Sequence, residues 1–286
     1  MRLVTSPAEI QERALEYRAR GLTVGLVPTM GWFHEGHLSL MRLAAKKADR
    51  VIVSLFVNPI QFGPNEDLDS YPYDLERDRR LAEETGVDIL FAPEKQVMYP
   101  DGFSSSVTVS GLSSRLCGSS RPGHFDGVTT VVAKLFHLTV PHLAVFGEKD
   151  FQQLAVIRKM VDDLDFPVEI LGHPIVREES GLAMSSRNTY LKSSEMPAAL
   201  SLSEGIREAV KCVNGPGAES IDARQVKDLV RAIITAHREC EIDYVEVVDR
   251  SSLENCTEIT ENSLLVLAVK INNRIRLIDN SILKGS

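Results

Sequence analysis

The chain has 286 residues, 43% hydrophobic and 25% charged, an ordinary balance for a globular protein with room for two modest domains. Its net charge of −8 argues against a body built around a basic nucleic-acid face, and leaves room for a small basic pocket that takes an acidic ligand. No apolar run nears the ~20 residues of a membrane-crossing helix, and Cys117, Cys212, Cys240 and Cys256 form neither a C-x-x-C pair nor a zinc-spaced set with histidine. The expectation is a cytoplasmic protein with free thiols and with neither membrane nor nucleic acid as partner.

The N-terminal stretch lacks the apolar centre of a signal peptide and reads as a helix. Ser6, Pro7 and Glu9 look like its N-cap, first-turn proline and capping-box acid. Ile10, Leu15 and Tyr17 form its apolar face, and Gly21 closes it. Buried strands are then expected at "LTVGLVP", "RVIVSLFVN", "VDILFAP", "HLAVFGE" and "PVEILGHPIV". Helices alternate with them at "EGHLSLMRLAAKKAD", "YDLERDRRLAEETG", "DGVTTVVAKLFHLTV" and "DFQQLAVIRKMVDDLD". Val/Ile/Leu-rich strands alternating with helices predict an α/β, Rossmann-like, doubly wound parallel sheet over residues 1–177. The Ser/Gly-rich stretch at 104–125 interrupts this rhythm and reads as a surface β-arm. Beyond residue 178 the pattern changes to helices near 198–213 and 223–240, separated by "NGPGAES". The strands "DYVEVVD", "SLLVLAVKI" and "NRIRLIDN" follow, which predicts a smaller α+β C-terminal domain over 178–286.

Open parallel sheets bind ligands beyond the carboxyl ends of their strands, so the loops there are read together. In "PTMGWFHEGH", His34 and His37 lie one helical turn apart. They sit where a strand ends and a helix begins, near free amides and the positive end of the helix dipole. Gly36 lets a ligand approach. Such a pair can donate hydrogen bonds to phosphate oxygens as charge builds during displacement. "GEKD" places Lys149, a point charge suited to phosphate, and Asp150, a cap or magnesium-water ligand, at another strand end. "MSSR" adds two hydroxyls and the guanidinium of Arg187. Gln61 and Gln153 offer neutral amides, which can orient a carboxylate without quenching it as a nucleophile.

"PTMGWFHEGH", "FVNPIQFG", "RPGHFDGV", "FGEKDFQQ" and "VREESGLAMSSRN", in this order and spacing, resemble the pantothenate synthetase (pantoate–β-alanine ligase) family over roughly residues 23–191. That family groups with the HIGH-type nucleotidylyltransferases. The resemblance implies an AMP-forming ligase. Pantoate and ATP give pantoyl adenylate and pyrophosphate, and β-alanine then displaces AMP to give pantothenate. It implies catalytic roles for His37, His34, Lys149 and Arg187. It implies an ATP site at Met30, Gly31, His34, His37, Gly147, Glu148, Lys149, Asp150, Val176, Met184, Ser185, Ser186 and Arg187. Gln61, Gln153, Asn58, Tyr71 and Arg121 are implied for the substrates. Magnesium is expected to arrive through the ATP phosphates, without a protein metal site. The C-terminal domain is expected to act as a lid, and the assembly to be a homodimer.

Two departures stand out: Trp32 and Phe33 are a bulky pair before His34, and Phe151 stands where a tyrosine is common in the family. Trp32 either covers the mouth of the site or packs outward. The alternative reading is another HIGH-type nucleotidylyltransferase acting on a small carboxylic acid.

Overall fold

The computed structural model describes residues 1–64, 66–216 and 221–284, so part of the expected separator at 214–220 lies outside the described residues. The chain divides into two compact units. One comprises Met1–Ser114, Arg121–Glu148 and Gln152–Pro174; the other comprises Arg115–Ser120, Lys149–Phe151 and Ile175–Ser286.

In the first unit, strands β1 (Arg2–Val4), β2 (Val24–Thr29), β3 (Arg50–Leu55), β4 (Ile89–Phe91), β5 (Leu143–Gly147) and β6 (Glu169–His173) form one sheet. Its order is β1-β4-β3-β2-β5-β6 and every pairing is parallel. The central strands are buried along nearly their whole length, as expected where helices cover both faces. The helices are α1 (Pro7–Ala19), α2 (Glu35–Lys47), α3 (Leu75–Glu84), α4 (Lys95–Met98), α6 (His124–Thr139) and α7 (Phe151–Asp163), while α5 (Leu116–Ser120) falls in the second unit. Strand order reverses between β2 and β5, which pair at Gly25–Leu143 and Leu26–Ala144. The loops that follow these two strands therefore leave the sheet side by side, at the switch point where such folds bind ligands.

Three expectations for this unit need correction. The N-terminus is not helical throughout: Arg2–Val4 forms an edge strand on β4. Ser6 does cap α1, accepting the Glu9 amide at 3.4 Å, but Glu9 engages Arg2 and Arg13, and Leu15 is 51% exposed while Ala14 takes the buried position. The stretch at 104–125 forms no strand; it runs extended into a 3-10 turn at Leu112–Ser114 and then α5. The reason lies on α6, where the Thr130 hydroxyl accepts the Val107 amide at 3.0 Å and the Thr129 hydroxyl donates to the Val107 carbonyl at 2.5 Å. These hydroxyls take the backbone groups that a partner strand would have paired.

In the second unit, β7 (Cys240–Asp249), β8 (Ser263–Ile271) and β9 (Ile275–Ile282) form an antiparallel sheet in the order β7-β8-β9. Helices α8 (Met196–Asn214) and α9 (Ala223–Thr235) pack against it around Leu202, Val230, Val247, Leu267 and Leu277. The expected helix at 223–240 ends at Thr235, because a turn from His237 to Cys240 reverses the chain and Cys240 opens β7.

Candidate active site

The H-x-G-H turn starts where β2 ends. Gly31 has φ 91°, and Trp32 follows with φ 53°, a region that a bulky side chain rarely occupies. The strained turn is held by Asp78 of α3, whose carboxylate accepts the Trp32 amide at 2.6 Å and the Phe33 amide at 2.8 Å. Asp78 is completely buried, and burial pushes its carboxyl up from the ordinary range against the pull of the two amides and Arg77. Arg77 donates to Asp78 at 3.0 Å and to the Phe33 carbonyl at 2.7 Å, and lies 4.7 Å from the Trp32 ring centre. Trp32 thus packs on Arg77. A Cβ on Gly31 would sit 3.1 Å from the Asp78 carboxylate, a crowded contact that adds to the strain its φ of 91° puts on any other residue.

His34 is the N-cap of α2. Its Nδ1 accepts the Gly36 amide at 3.1 Å, and Nδ1 of His37 faces the His34 amide at 3.4 Å. The two rings are 4.1 Å apart. A ring nitrogen that accepts from a backbone amide carries no hydrogen. In the neutral form, each histidine therefore carries its hydrogen on Nε2, at the positive end of the helix dipole. This makes both rings donors toward an anion.

The 3-10 turn Pro59–Gln61, after β3, carries the next group. Asn58 and Gln61 are both buried. Asn58 Nδ2 donates to the Gly127 carbonyl and to Gln61 Oε1, each at 3.0 Å, and the Tyr99 hydroxyl donates to Asn58 Oδ1 at 2.8 Å. Gln61 Nε2 lies 3.0 Å from Met30 Sδ. The turn can press against α6 because Gly127 has no side chain: a Cβ there would lie 2.6 Å from Gln61 Cα. His124 Nδ1 lies 2.8 Å from the Gln61 carbonyl and its Nε2 lies 3.0 Å from Arg121 Nη1, so the carbonyl requires hydrogen on Nδ1 and the guanidinium requires a bare Nε2. Arg121 also grips Glu66 at 2.6 Å, holding that carboxyl below its ordinary range against the effect of burial. Tyr71 sets its ring edge-on to Phe62. Gln153, in the first turn of α7, is half-buried, and no hydrogen bond joins it to Gln61 among the described residues.

The second unit gathers the other group. Lys149 donates from Nζ to the Met184 carbonyl at 2.9 Å, and burial holds its ammonium below the ordinary lysine range, against Asp150 and Asp279. The Val176–Met184 turn closes through Met184 N–H to the Val176 carbonyl at 2.9 Å, an Arg177–Ala183 bridge and Gly181. Ser185 caps the 3-10 turn Ser186–Tyr190, accepting the Arg187 amide at 3.3 Å. Ser186 is buried, and Arg187 is close enough to Lys149 to depress its ammonium further. β9 supports the group: Asn280 donates to the Lys149 carbonyl at 2.9 Å, and buried Asp279 accepts both Arg177 Nη atoms at 2.7 and 2.9 Å. Gly147 ends β5 and Glu148 follows it, both in the first unit, and Asp150 is exposed.

Sequence reading missed Asp78, Arg77, Tyr99, Glu66, Asp279 and Asn280 as supports. The quoted motifs held His124, Gly127 and the "IDN" of β9, yet which backbone group each side chain meets depends on contacts far apart in sequence.

A parallel α/β sheet whose switch-point loop runs into a helix N-terminus is the arrangement of the nucleotide-binding α/β folds. The comparisons with known proteins are more specific. The family model described as Pantoate-beta-alanine ligase matches residues 2–282, and the chain belongs to that family. A pantothenate synthetase of Desulfotalea psychrophila is 50% identical over 285 residues, covering 99% of both chains. The crystal structure of pantothenate synthetase from Thermus thermophilus superposes with a TM-score of 0.92 at 43% identity, covering 100% of both chains. The pantoate-beta-alanine ligase of Francisella tularensis, described as complexed with Beta-gamma ATP and beta-alanine, gives 0.81 at 31% identity, covering 100% of this chain and 99% of that one.

Proposed function

We propose that the chain condenses pantoate with β-alanine at the expense of ATP. A pantoate carboxylate oxygen attacks the α-phosphorus of ATP, the bond to the bridging oxygen breaks, and pyrophosphate leaves. The β-alanine nitrogen then attacks the acyl carbon, the bond to the AMP oxygen breaks, and the ammonium proton is lost to solvent. The observation that carries this reading is the α2 N-terminus, where both histidines accept backbone amides at Nδ1 and so carry their hydrogens on Nε2.

In this reading His34 and His37 donate to phosphate oxygens as charge develops. Lys149 and Arg187 bring positive charge to the phosphates, with Ser185 and Ser186 as neutral donors. Gln61 and Gln153 hold pantoate through amides, which leaves its carboxylate nucleophilic. Asn58, Tyr71 and Arg121 shape that pocket, and Met30, Gly31, Gly147, Glu148, Asp150, Val176 and Met184 line the nucleotide. Magnesium is part of the proposal. The Asp150 carboxylate beside Lys149 and the hydroxyls of Ser185 and Ser186 are hard oxygen ligands that suit an ion brought in on phosphate. Among the described residues no group of three metal-binding side chains occurs. The ion would neutralise phosphate charge.

The same proposal includes a lid role for 178–286 that keeps water from the adenylate. Identical scattering profiles with and without ATP plus pantoate would contradict it. A homodimer and a cytoplasmic site of action complete the proposal; sedimentation tests the first and cell fractionation the second. No helix of the described residues is long and apolar enough to cross a membrane.

Pantoate labelled with ¹⁸O in its carboxylate tests the reaction. One labelled oxygen should appear in AMP when β-alanine and ATP are present. Label that stays wholly in the pantothenate carbonyl or in unreacted pantoate would contradict it.

A further inference from the structure

Gln61 is proposed above to hold pantoate, and the inference here rests on that reading. An amide has two ends with opposite hydrogen-bonding character, and which end faces the ligand decides what it recognises. The surroundings of Gln61 fix this without reference to any ligand.

The Gly127 carbonyl is only an acceptor. The Asn58 side-chain atom 3.0 Å from it must therefore be the NH₂ group. That leaves Asn58 Oδ1 at 2.8 Å from the Tyr99 hydroxyl, which must donate. Burial pushes the Tyr99 phenol well above its ordinary value, so the hydroxyl keeps its hydrogen. The second hydrogen of Asn58 Nδ2 points to the Gln61 side chain at 3.0 Å, which must present its oxygen. The other end of Gln61, Nε2, is then fixed as a donor. Among the described residues its one acceptor is the Met30 thioether at 3.0 Å, a weak acceptor that an incoming oxygen displaces at little cost.

We infer that Tyr99 is a positioning residue: through Asn58 it fixes the Gln61 amide so that its NH₂ end faces the substrate and selects an oxygen acceptor, a carboxylate or ether-type oxygen, over a donor. Removing the Tyr99 hydroxyl leaves Asn58 Oδ1 buried without a donor, so the amide is held at its NH₂ end alone. Anchored at one end only, Asn58 holds Gln61 less firmly, although the hydroxyl never touches substrate. Tyr99 is anchored independently, since Lys134 donates to the Met98 carbonyl and lies 5.6 Å from the Tyr99 ring centre, so Tyr99→Phe keeps the ring in place.

The test has two arms on the full chain. First, the side-chain NH₂ signals of Asn58 and Gln61 are assigned by ¹⁵N NMR through their loss in Asn58→Asp and Gln61→Glu. In the unliganded protein the Asn58 pair should exchange slowly with solvent, and in Tyr99→Phe it should exchange at least tenfold faster while the backbone spectrum stays that of the native fold. An Asn58 pair that exchanges freely in the native chain, or that is unmoved by Tyr99→Phe, overturns the inference whatever the substrate proves to be. Second, steady-state kinetics of Tyr99→Phe should raise KM for pantoate about fivefold, the scale of one lost hydrogen bond, with KM for ATP unchanged. An unchanged KM for pantoate, or equal rises in both, overturns it. Absence of pantoate turnover in the native chain would instead contradict the proposed reaction, and the NMR arm would still decide the orientation.

Discussion

The Asp78 carboxylate accepts the Trp32 amide at 2.6 Å, and this bond joins α3 to the turn that presents both histidines. Trp32 keeps its positive φ because Asp78 takes two successive amides and Arg77 takes the next carbonyl. Asp78→Ala leaves the Trp32 and Phe33 amides without acceptors and Arg77 without its carboxylate partner. Stability should fall by about 3 kcal/mol in urea titrations. Adenylate formation should fall further than the folded fraction accounts for, because the α2 N-terminus loses its alignment. A variant of native stability and native rate would contradict this role.

Gly127 sets the spacing between α6 and the Gln61 turn. In Gly127→Ala the new methyl meets backbone atoms at 2.6 and 2.7 Å, and backbone yields far less readily than a side-chain end. The expected cost is about 1–3 kcal/mol of stability. KM for pantoate should rise well above any change for ATP. Equal changes in both would mean that the whole unit has shifted rather than the Gln61 turn.

His37→Ala removes one of the two rings at the α2 N-terminus. If His37 donates to charge that develops during adenylation, the single-turnover rate of adenylate formation should drop by about 3 kcal/mol of barrier, on the order of 10²-fold. ATP affinity should change much less. An unchanged adenylation rate assigns the role elsewhere.

Glu195 gives a pH signature in the second unit. The Lys192 amide, Asn272 and Arg274 all donate to its carboxylate, and they lower its pKa from 4.5 to about 2. A carboxyl with a depressed folded pKa contributes stability above its unfolded pKa and loses it as pH falls through the folded one. The native chain should therefore be more stable than Glu195→Gln at pH 7. The gap should narrow as pH falls from 4.5 toward about 2. Urea midpoints of the two proteins across this range check it; a gap independent of pH would contradict it.

The sequence carried what depends on neighbours along the chain. Runs such as "VIV" mark buried strands because successive apolar residues point to both faces of the sheet, and His34 with His37 is legible because a helix start places them on one face. What stayed hidden depends on distant partners. β1 is only Arg2–Val4 and exists through pairing with Ile89–Phe91. The alternation around Val107 looks like a strand, yet its hydrogen bonds go to Thr129 and Thr130. Asp78 sits in a charged helical stretch where nothing local marks it as buried, and Tyr99 belongs to no motif read from the sequence. Of the site, the residues proposed to touch ligand were legible and those that hold them were not.

Pyrophosphate release from Mg-ATP plus pantoate, with and without β-alanine, reads out pantoate-dependent adenylation. Without β-alanine a burst near one equivalent per active site is expected. On its addition, release should become sustained, with pantothenate and AMP formed in step. Folded, ATP-binding protein that releases no pyrophosphate in response to pantoate would contradict it.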